Sequence, residues 1–408
     1  NARAFLFAAR KALGHPIDVI GGHEEARLIF VGASHGLPPI QGRRLVIDIG
    51  GGSTECMLGT GFEATHMESL EIGCVSLTRR FFANGAIAKR NFARAEIAAA
   101  LEFQNVAPAF RALGWEAAAG ASGTVNAVAQ ILRANGWSSG DITRAGLTEL
   151  RTALIAARRA SRLKLAGLRP ERADILAGGA AILMAAFDGL GLNALRPAVG
   201  ALREGLLYDL LGRIRHEDVR DRTVNALCVR YQVDLDHARR VEGTAQSLLA
   251  NVAARWDLAT DEAKSMLGWA ARLHEIGLTI AHSQYHKHGA YLVENSDMAG
   301  FSREEQQFLA VLVRGHRRKW PQAALDALPK GLATRAARLV LLLRLAVLLN
   351  RSRSPQLLPP LQLKASEASL RLALPRDYLA SHPLTAADLG EEVGFLKEAG
   401  WRLSVSRR

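Results

Sequence analysis

The segment Asp48-Ile49-Gly50-Gly51-Gly52-Ser53-Thr54-Glu55 constrains this chain more than any other. It separates two apolar runs, Leu45 to Ile49 and Thr54 to Leu58, which read as the arms of a hairpin. Three consecutive glycines at a strand-to-strand turn let backbone N–H groups converge, because no Cβ obstructs them and glycine reaches the required dihedrals cheaply. Converging amides at Gly50, Gly51 and Gly52 form an anion nest, and the Ser53 and Thr54 hydroxyls add donors. Asp48 and Glu55 flank the turn and are hard oxygen ligands of the kind that Mg²⁺ shares with a phosphate. A tight hairpin with solvated acids would satisfy the three glycines alone; the eight residues as a unit favour a phosphate site.

Two other turns belong with it. Ile17 to Ile20 reads as a short strand, followed by Gly21-Gly22 and a helix opening at Glu24. Successive helix residues point about 100° apart, so only one of Glu24 and Glu25 can face a cleft and orient a water. Spacing alone favours the plainer reading, in which both complement the helix dipole. Farther on, a strand over Trp115 to Ala119 turns through Gly120-Ala121-Ser122-Gly123-Thr124 into a helix over Val125 to Ala134. Helix N-terminal amides around Ser122 and Gly123 make a second anion site. Two opposed glycine turns in one domain can grip phosphates from both sides.

At 408 residues the chain implies two to four domains. The first half mixes hairpins, Gly-rich turns and helices, an α/β pattern. From Asp218 to Asn350 nearly everything reads as helix, with Thr260 as an N-cap and Ser302-Arg303-Glu304-Glu305 as a capping box. Ser354 to Pro360 is a linker by composition, and the tail reads as a hairpin, a short helix and a strand over Trp401 to Val405. No run reaches the length of apolar residues that a membrane span needs, and no signal peptide is read. Cys56, Cys74 and Cys228 are an odd number at wide spacing, which argues against a disulfide framework and fits a reducing cytosol. The net charge of +13 calls for an anionic partner. No aromatic interleaving or base-reading motif accompanies the charge, which argues against nucleic acid.

Taken together these residues resemble the Ppx/GppA phosphatases, the exopolyphosphatase and guanosine pentaphosphate phosphatase family of the actin/hexokinase superfamily. The motifs are G-x-E-E-A-R-L at Gly22 to Leu28, V-I-D-I-G-G-G-S-T-E at Val46 to Glu55, I-G-C-V-S-L-T-R-R-F at Ile72 to Phe81, G-A-S-G-T at Gly120 to Thr124, A-L-R-E-G at Ala201 to Gly205 and L-H-E-I-G-L at Leu273 to Leu278. The resemblance runs through H-x-H-G-A-Y-L-V-E-N-S-D at His286 to Asp297. It implies an actin-like (ribonuclease H-like) α/β domain, an all-α HD-like domain and a small α+β C-terminal cap. Residues 1–28 would be the remnant of a first actin-like lobe, 29–213 the second lobe, 214–353 the helical domain and 354–408 the cap.

The resemblance also implies roles. Glu25 would activate water, Asp48 and Glu55 would hold Mg²⁺ or another divalent cation, and Gly50 to Thr54 with Ser122 and Gly123 would cradle phosphates. It implies a cytoplasmic homodimer, with peripheral membrane association compatible with the charge. The expected reaction is removal of terminal orthophosphate from inorganic polyphosphate, with Arg314, Arg317 and Arg318 in a basic channel. The sister activity on guanosine pentaphosphate is the alternative. A non-catalytic polyanion binder is another, because the family's D-x-G-S-N-S phosphate loop has no counterpart here. In the HD-like domain the pair reads His274-Glu275 and the later helix Leu342 to Val347 offers no acid, which argues against a metal there. His282, His286 and His288 read as structural residues or polyanion contacts.

Overall fold

Alternation along a single strand builds two cores in the first half of the chain. On β1 (Arg43–Ile49), Leu45, Ile47 and Ile49 face one way and Val46 the other, and all are buried. The computed structural model describes residues 2–15, 17–214, 218–375 and 377–407. The chain divides into two units, residues 21–217, and residues 1–20 together with 218–408.

In the 21–217 unit, β1 pairs antiparallel with β2 (Thr54–Thr60), and β2 with β3 (Glu63–Leu70). On its other side β1 pairs parallel with β4 (Ala117–Ala121), and the six-stranded sheet runs β3-β2-β1-β4-β6-β5, with β5 (Ile142–Thr143) and β6 (Ala194–Pro197) at the edge. Both faces are covered. The helices are α1 (Ala2–Leu13, in the other unit), α2 (Gly22–His35), α3 (Cys74–Phe81), α4 (Lys89–Leu113), α5 (Ser122–Ala134), α6 (Arg144–Ala157), α7 (Ala173–Leu190) and α8 (Leu202–Ile214). Ala26, Ile29, Phe30 and Ala33 of α2 pack with Val46 and Met57 on one face. Leu45, Ile47, Ile49, Cys56 and Leu58 join residues of α3, α4, α5 and α7 on the other. A sheet buried on both faces gives nearly continuous apolar strands, as in β1 and β2.

One segment, Pro170–Leu190, is long and apolar enough to cross a membrane, although none was expected; 72% of its most apolar window is buried inside the protein. Ala180, Ile182 and Leu183 of α7 lie in the same core as Phe103 of α4, so this is a core helix.

The second unit is helical: α9 (Val219–Arg230), α10 (Leu235–Trp256), α11 (Asp261–Leu273), α12 (Tyr285–Asn295), α13 (Arg303–Gly315), α14 (Gln322–Asp326) and α15 (Lys330–Leu349). A three-stranded sheet of β7 (Gln362–Ala365), β8 (Ser369–Leu374) and β9 (Arg402–Arg407) follows, with α16 (Tyr378–Ser381) and α17 (Pro383–Glu398). Leu363, Leu370, Leu372, Leu374, Leu389, Leu396 and Leu403 lie in the same core as Leu248, Leu312 and Leu342. The expected boundary at 353/354 therefore separates no independent core. Arg344, within the apolar run of α15, explains part of this. It is 2% exposed and grips Glu392 of α17 through two bonds of 2.5 and 2.8 Å, with further bonds to the carbonyls of Gly315 and Arg318.

Two N-terminal expectations change. The boundary at 28/29 falls within α2, which is continuous, and residues 1–20 belong with the helical unit. Ile17 to Ile20 forms no strand: the Val19 carbonyl accepts from the Arg303 N–H at 2.9 Å, and Arg10 pairs with Glu304 at 2.5 Å.

Candidate active site

Strand register fixes the first pair of acids. Asp48 and Glu55 are direct partners across the β1–β2 hairpin, on the face toward α2, and both are buried. The loop between them is built from both ends. The Gly50 N–H donates to the Ser53 carbonyl at 2.9 Å. The Gly50 carbonyl accepts from Cys74 at 2.9 Å, and the Gly51 carbonyl from Val75 at 3.0 Å and Ser76 at 3.1 Å. Amides at the start of α3, which would otherwise lack partners, are thus consumed by the loop. The amides of Gly51, Gly52 and Ser53 have no such partner among the described residues, and Gly51 and Gly52 are exposed.

This narrows the cradle expected over Gly50 to Thr54. The Gly50 amide is committed within the turn. Thr54 is fully buried and its hydroxyl donates to the Ile72 carbonyl at 2.6 Å, because Thr54 and Glu55 point to opposite faces of β2. Gly73 holds the arrangement: a Cβ there would stand 2.4–2.5 Å from the Gly51–Gly52 peptide.

The two glutamates of α2 separate cleanly. Glu24 is buried and forms two 2.8 Å bonds to Arg27, which also pairs with Asp209 of α8 at 2.5 Å. Glu25 is half-buried on the cleft side. Burial, then the Glu55 charge, pushes its carboxyl above the ordinary range. Asp48 is pushed up to about 7 by burial, then by Glu55 and Glu25, against a bond from the Ser122 side chain that lowers it. Ser69 donates to Glu55 at 3.1 Å. Three carboxyls thus sit within electrostatic reach of one another, with like charge disfavouring ionisation.

The second glycine turn lies beside them, since Asp48 pairs in register with Ala121. Ser122 has φ of 93°, and its oxygen accepts from the amides of Thr124 at 3.2 Å and Val125 at 3.3 Å. Such backbone costs of order 1–3 kcal/mol and concentrates at functional sites. Over Gly123 lies a residue that sequence reading missed: the Arg172 guanidinium is 2.2 Å from where a Cβ of residue 123 would stand. Arg172 has no carboxylate partner among the described residues. Its only sequence signal is a basic residue just before α7.

The acids suit a hard cation. Asp48 Oδ1 is buried without a hydrogen-bond partner, an orphan that a metal–oxygen bond would satisfy. Ligand atoms of Asp48, Glu55 and Glu25 do not gather within 4.8 Å of one another. A divalent ion there would take one or two of these carboxylates and need water and substrate phosphates to complete its shell, the coordination common for Mg²⁺.

In the helical unit, Arg314, Arg317 and Arg318 do come together, lining a cavity of about 770 Å³ with His286, Lys287 and Lys319. Arg317 lies over the Tyr285 ring at 4.6 Å. Among the described residues, the one trio of possible metal-binding side chains within 4.8 Å is His237, His274 and Glu275. The expectation against a metal at His274-Glu275 considered only the acid-free later helix; the third candidate ligand is His237 of α10, which the sequence does not single out beside His282, His286 and His288.

Known proteins resemble this chain in sequence. The sequence profile of the Ppx/GppA phosphatase family matches residues 1–214, and that of its domain III matches residues 219–393. A guanosine-5′-triphosphate,3′-diphosphate pyrophosphatase of Vibrio cholerae is 40% identical over 408 residues, spanning 99% of this chain and 81% of the relative. The protein of the same name from Aeromonas hydrophila is 39% identical over 401 residues, spanning 98% of this chain and 80% of its own. The crystal structure of an exopolyphosphatase from Cytophaga hutchinsonii overlaps 52% of this chain and 70% of that one, at 25% identity and a TM-score of 0.47.

Proposed function

The chain belongs to the Ppx/GppA phosphatase family, and from that premise we propose that it hydrolyses the terminal 5′ phosphoanhydride of guanosine 5′-triphosphate 3′-diphosphate. The observation that carries the chemistry is the buried Asp48 carboxyl, its Oδ1 without a hydrogen-bond partner, facing Glu55 and Glu25 beside the Gly51–Ser53 amides. The nucleotide is preferred to polyphosphate, the substrate first expected, because the relatives similar over nearly the whole chain carry the pyrophosphatase name.

In this reading the amides of Gly51, Gly52 and Ser53 bind the terminal phosphoryl oxygens and stabilise their charge as the bond breaks. Ser122, Gly123 and Arg172 hold the phosphates from the other side. Glu25 orients a water in line with the γ-phosphorus and accepts its proton, a task favoured by a carboxyl that burial and the Glu55 charge hold above the ordinary range. The new P–O bond forms as the bond to the β-phosphate oxygen breaks, giving orthophosphate and guanosine 5′-diphosphate 3′-diphosphate. When held by Asp48, Glu55 and the substrate's phosphates, a divalent ion supplies charge neutralisation. Glu24, tied to Arg27, which also pairs with Asp209, positions α2 and takes no part in proton transfer.

The test is orthophosphate release from the guanosine nucleotide with Mg²⁺, with inorganic polyphosphate as competitor. Release from the nucleotide that Glu25→Gln abolishes supports the assignment. Release from polyphosphate alone would transfer it to exopolyphosphatase, the reading favoured by the Arg314, Arg317 and Arg318 cavity. Undiminished release by Glu25→Gln would overturn the role of Glu25.

A further inference from the structure

We propose that His237, His274 and Glu275 form a binding site for a divalent transition-metal ion within the helical unit, separate from the phosphatase carboxylates. The three offer ligand atoms within 4.8 Å of one another, and all three side chains are buried. The histidine Nε2 atoms of His237 and His274 each lie 4.0 Å from Glu275 Oε1. Ligands 2.0–2.2 Å from a tetrahedral metal stand roughly 3.4 Å apart, so a small inward movement closes the set.

The imidazole of His274 is already oriented for this. It ends α11 and is fully buried, with Nδ1 2.7 Å from the Ala271 carbonyl. A carbonyl can only accept, so Nδ1 carries the proton and Nε2 presents its lone pair. That Nε2 is buried without a hydrogen-bond partner, as is Nδ1 of His237. His316 repeats the device at the end of α13: Nδ1 is 2.6 Å from the Val313 carbonyl, Nε2 has no partner, and its ring stands edge-on to His274 at 5.3 Å. A backbone carbonyl on the distal ring nitrogen is the usual support of a metal-binding histidine. The Asp234 side chain, accepting from the His237 amide at 3.0 Å, starts α10 at the position that brings His237 inward.

Two imidazoles and one carboxylate suit zinc, iron(II), cobalt or nickel better than calcium or magnesium. A cavity of about 530 Å³ lined by His237, Glu275 and His316 provides an entry path and room for solvent on the ion. The competitor is Arg353. Its guanidinium bonds Glu275 Oε1 at 2.6 Å and Asp234 Oδ2 at 2.9 Å. Its side chain is 43% exposed, and it can release Glu275 while keeping Asp234. Metal and Arg353 therefore contend for one carboxylate, and removing the arginine strengthens the site.

The experiment is a cobalt(II) titration of the metal-free full-length chain, read by visible absorption, with zinc displacement as the reverse reading. One equivalent with the strong visible band of a nitrogen-ligated, low-coordinate ion is expected. That band disappears in His237→Gln and Glu275→Gln, persists in Asp48→Asn, and forms at cobalt concentrations on the order of tenfold lower in Arg353→Ala. Thermal unfolding confirms that each variant is folded. Arg353→Ala is a gain-of-binding test that misfolding cannot imitate. The proposal fails if neither the parent chain nor Arg353→Ala develops the band, or if the band survives folded Glu275→Gln.

Discussion

Asp48 and Glu55 face one another across the β1–β2 hairpin, buried and in direct register, with Glu25 of α2 close enough to raise the Asp48 carboxyl. Without a cation this grouping opposes the fold. Asp48 keeps its proton in the folded chain up to about pH 7, whereas the unfolded chain releases it near the ordinary value of 3.8. The sign is therefore fixed: stability is full below 3.8 and falls as pH rises toward 7, by about 4 kcal/mol at most. Melts in EDTA should show this decline, Mg²⁺ should suppress it, and Asp48→Asn should melt higher than the parent at pH 8 in EDTA. A flat profile in EDTA would contradict it.

Glu24 and Glu25 are neighbours with opposite expected phenotypes. Glu25→Gln should lower kcat for phosphate release by about 10²–10⁴-fold with little change in stability. Glu24→Gln should leave kcat within a fewfold and cost about 1–3 kcal/mol, since it weakens charged bonds to Arg27. Paired kinetics and urea melts separate the two.

Gly73 is expected to tolerate no side chain. A methyl group at 2.4–2.5 Å from the Gly51–Gly52 peptide must displace the loop. Gly73→Ala should cost about 1–3 kcal/mol and raise KM for the phosphorylated substrate. Gly52→Ala, whose added methyl meets no protein atom within 4 Å, provides the control for stability.

The Arg344–Glu392 pair offers a double-mutant test. Arg344→Met should destabilise the helical unit by about 3–5 kcal/mol, because Glu392 is left buried and unpaired. Adding Glu392→Leu should recover much of that loss. Denaturation followed by helix content measures both.

What was legible in the sequence is what local patterning encodes. Ser302 and Glu305 exchange both bonds of the capping box, at 3.2 and 2.7 Å, and Thr260 caps Ala263 at 3.2 Å. The hairpin and its flanking acids followed from glycine content and strand alternation. Alternation also separates Thr54 from Glu55, a signal sufficient to remove the Thr54 hydroxyl from the cradle. Other features depend on distant partners. Glu24 is structural because Asp209, far along the chain, holds its Arg27. Arg172 reaches Gly123 only through the packing of the elements that carry them. Ile17 to Ile20 has strand composition, but its described backbone partner is Arg303. His237 and His274 meet only through the pairing of α10 with α11.

The grouping of residues 1–20 with 218–408 bears on how the chain is made. Residues 21–217 complete their own unit while the rest is still being translated, as domains generally fold in order of synthesis. The helical unit must wait, because β9 is its last strand and Leu403 lies in its core. Meanwhile α1 leaves the ribosome with Glu304, the ion-pair partner of its Arg10, nearly three hundred residues away. A nascent chain stalled before β9 should therefore hold a protease-resistant 21–217 segment beside a helical region still open to chaperones.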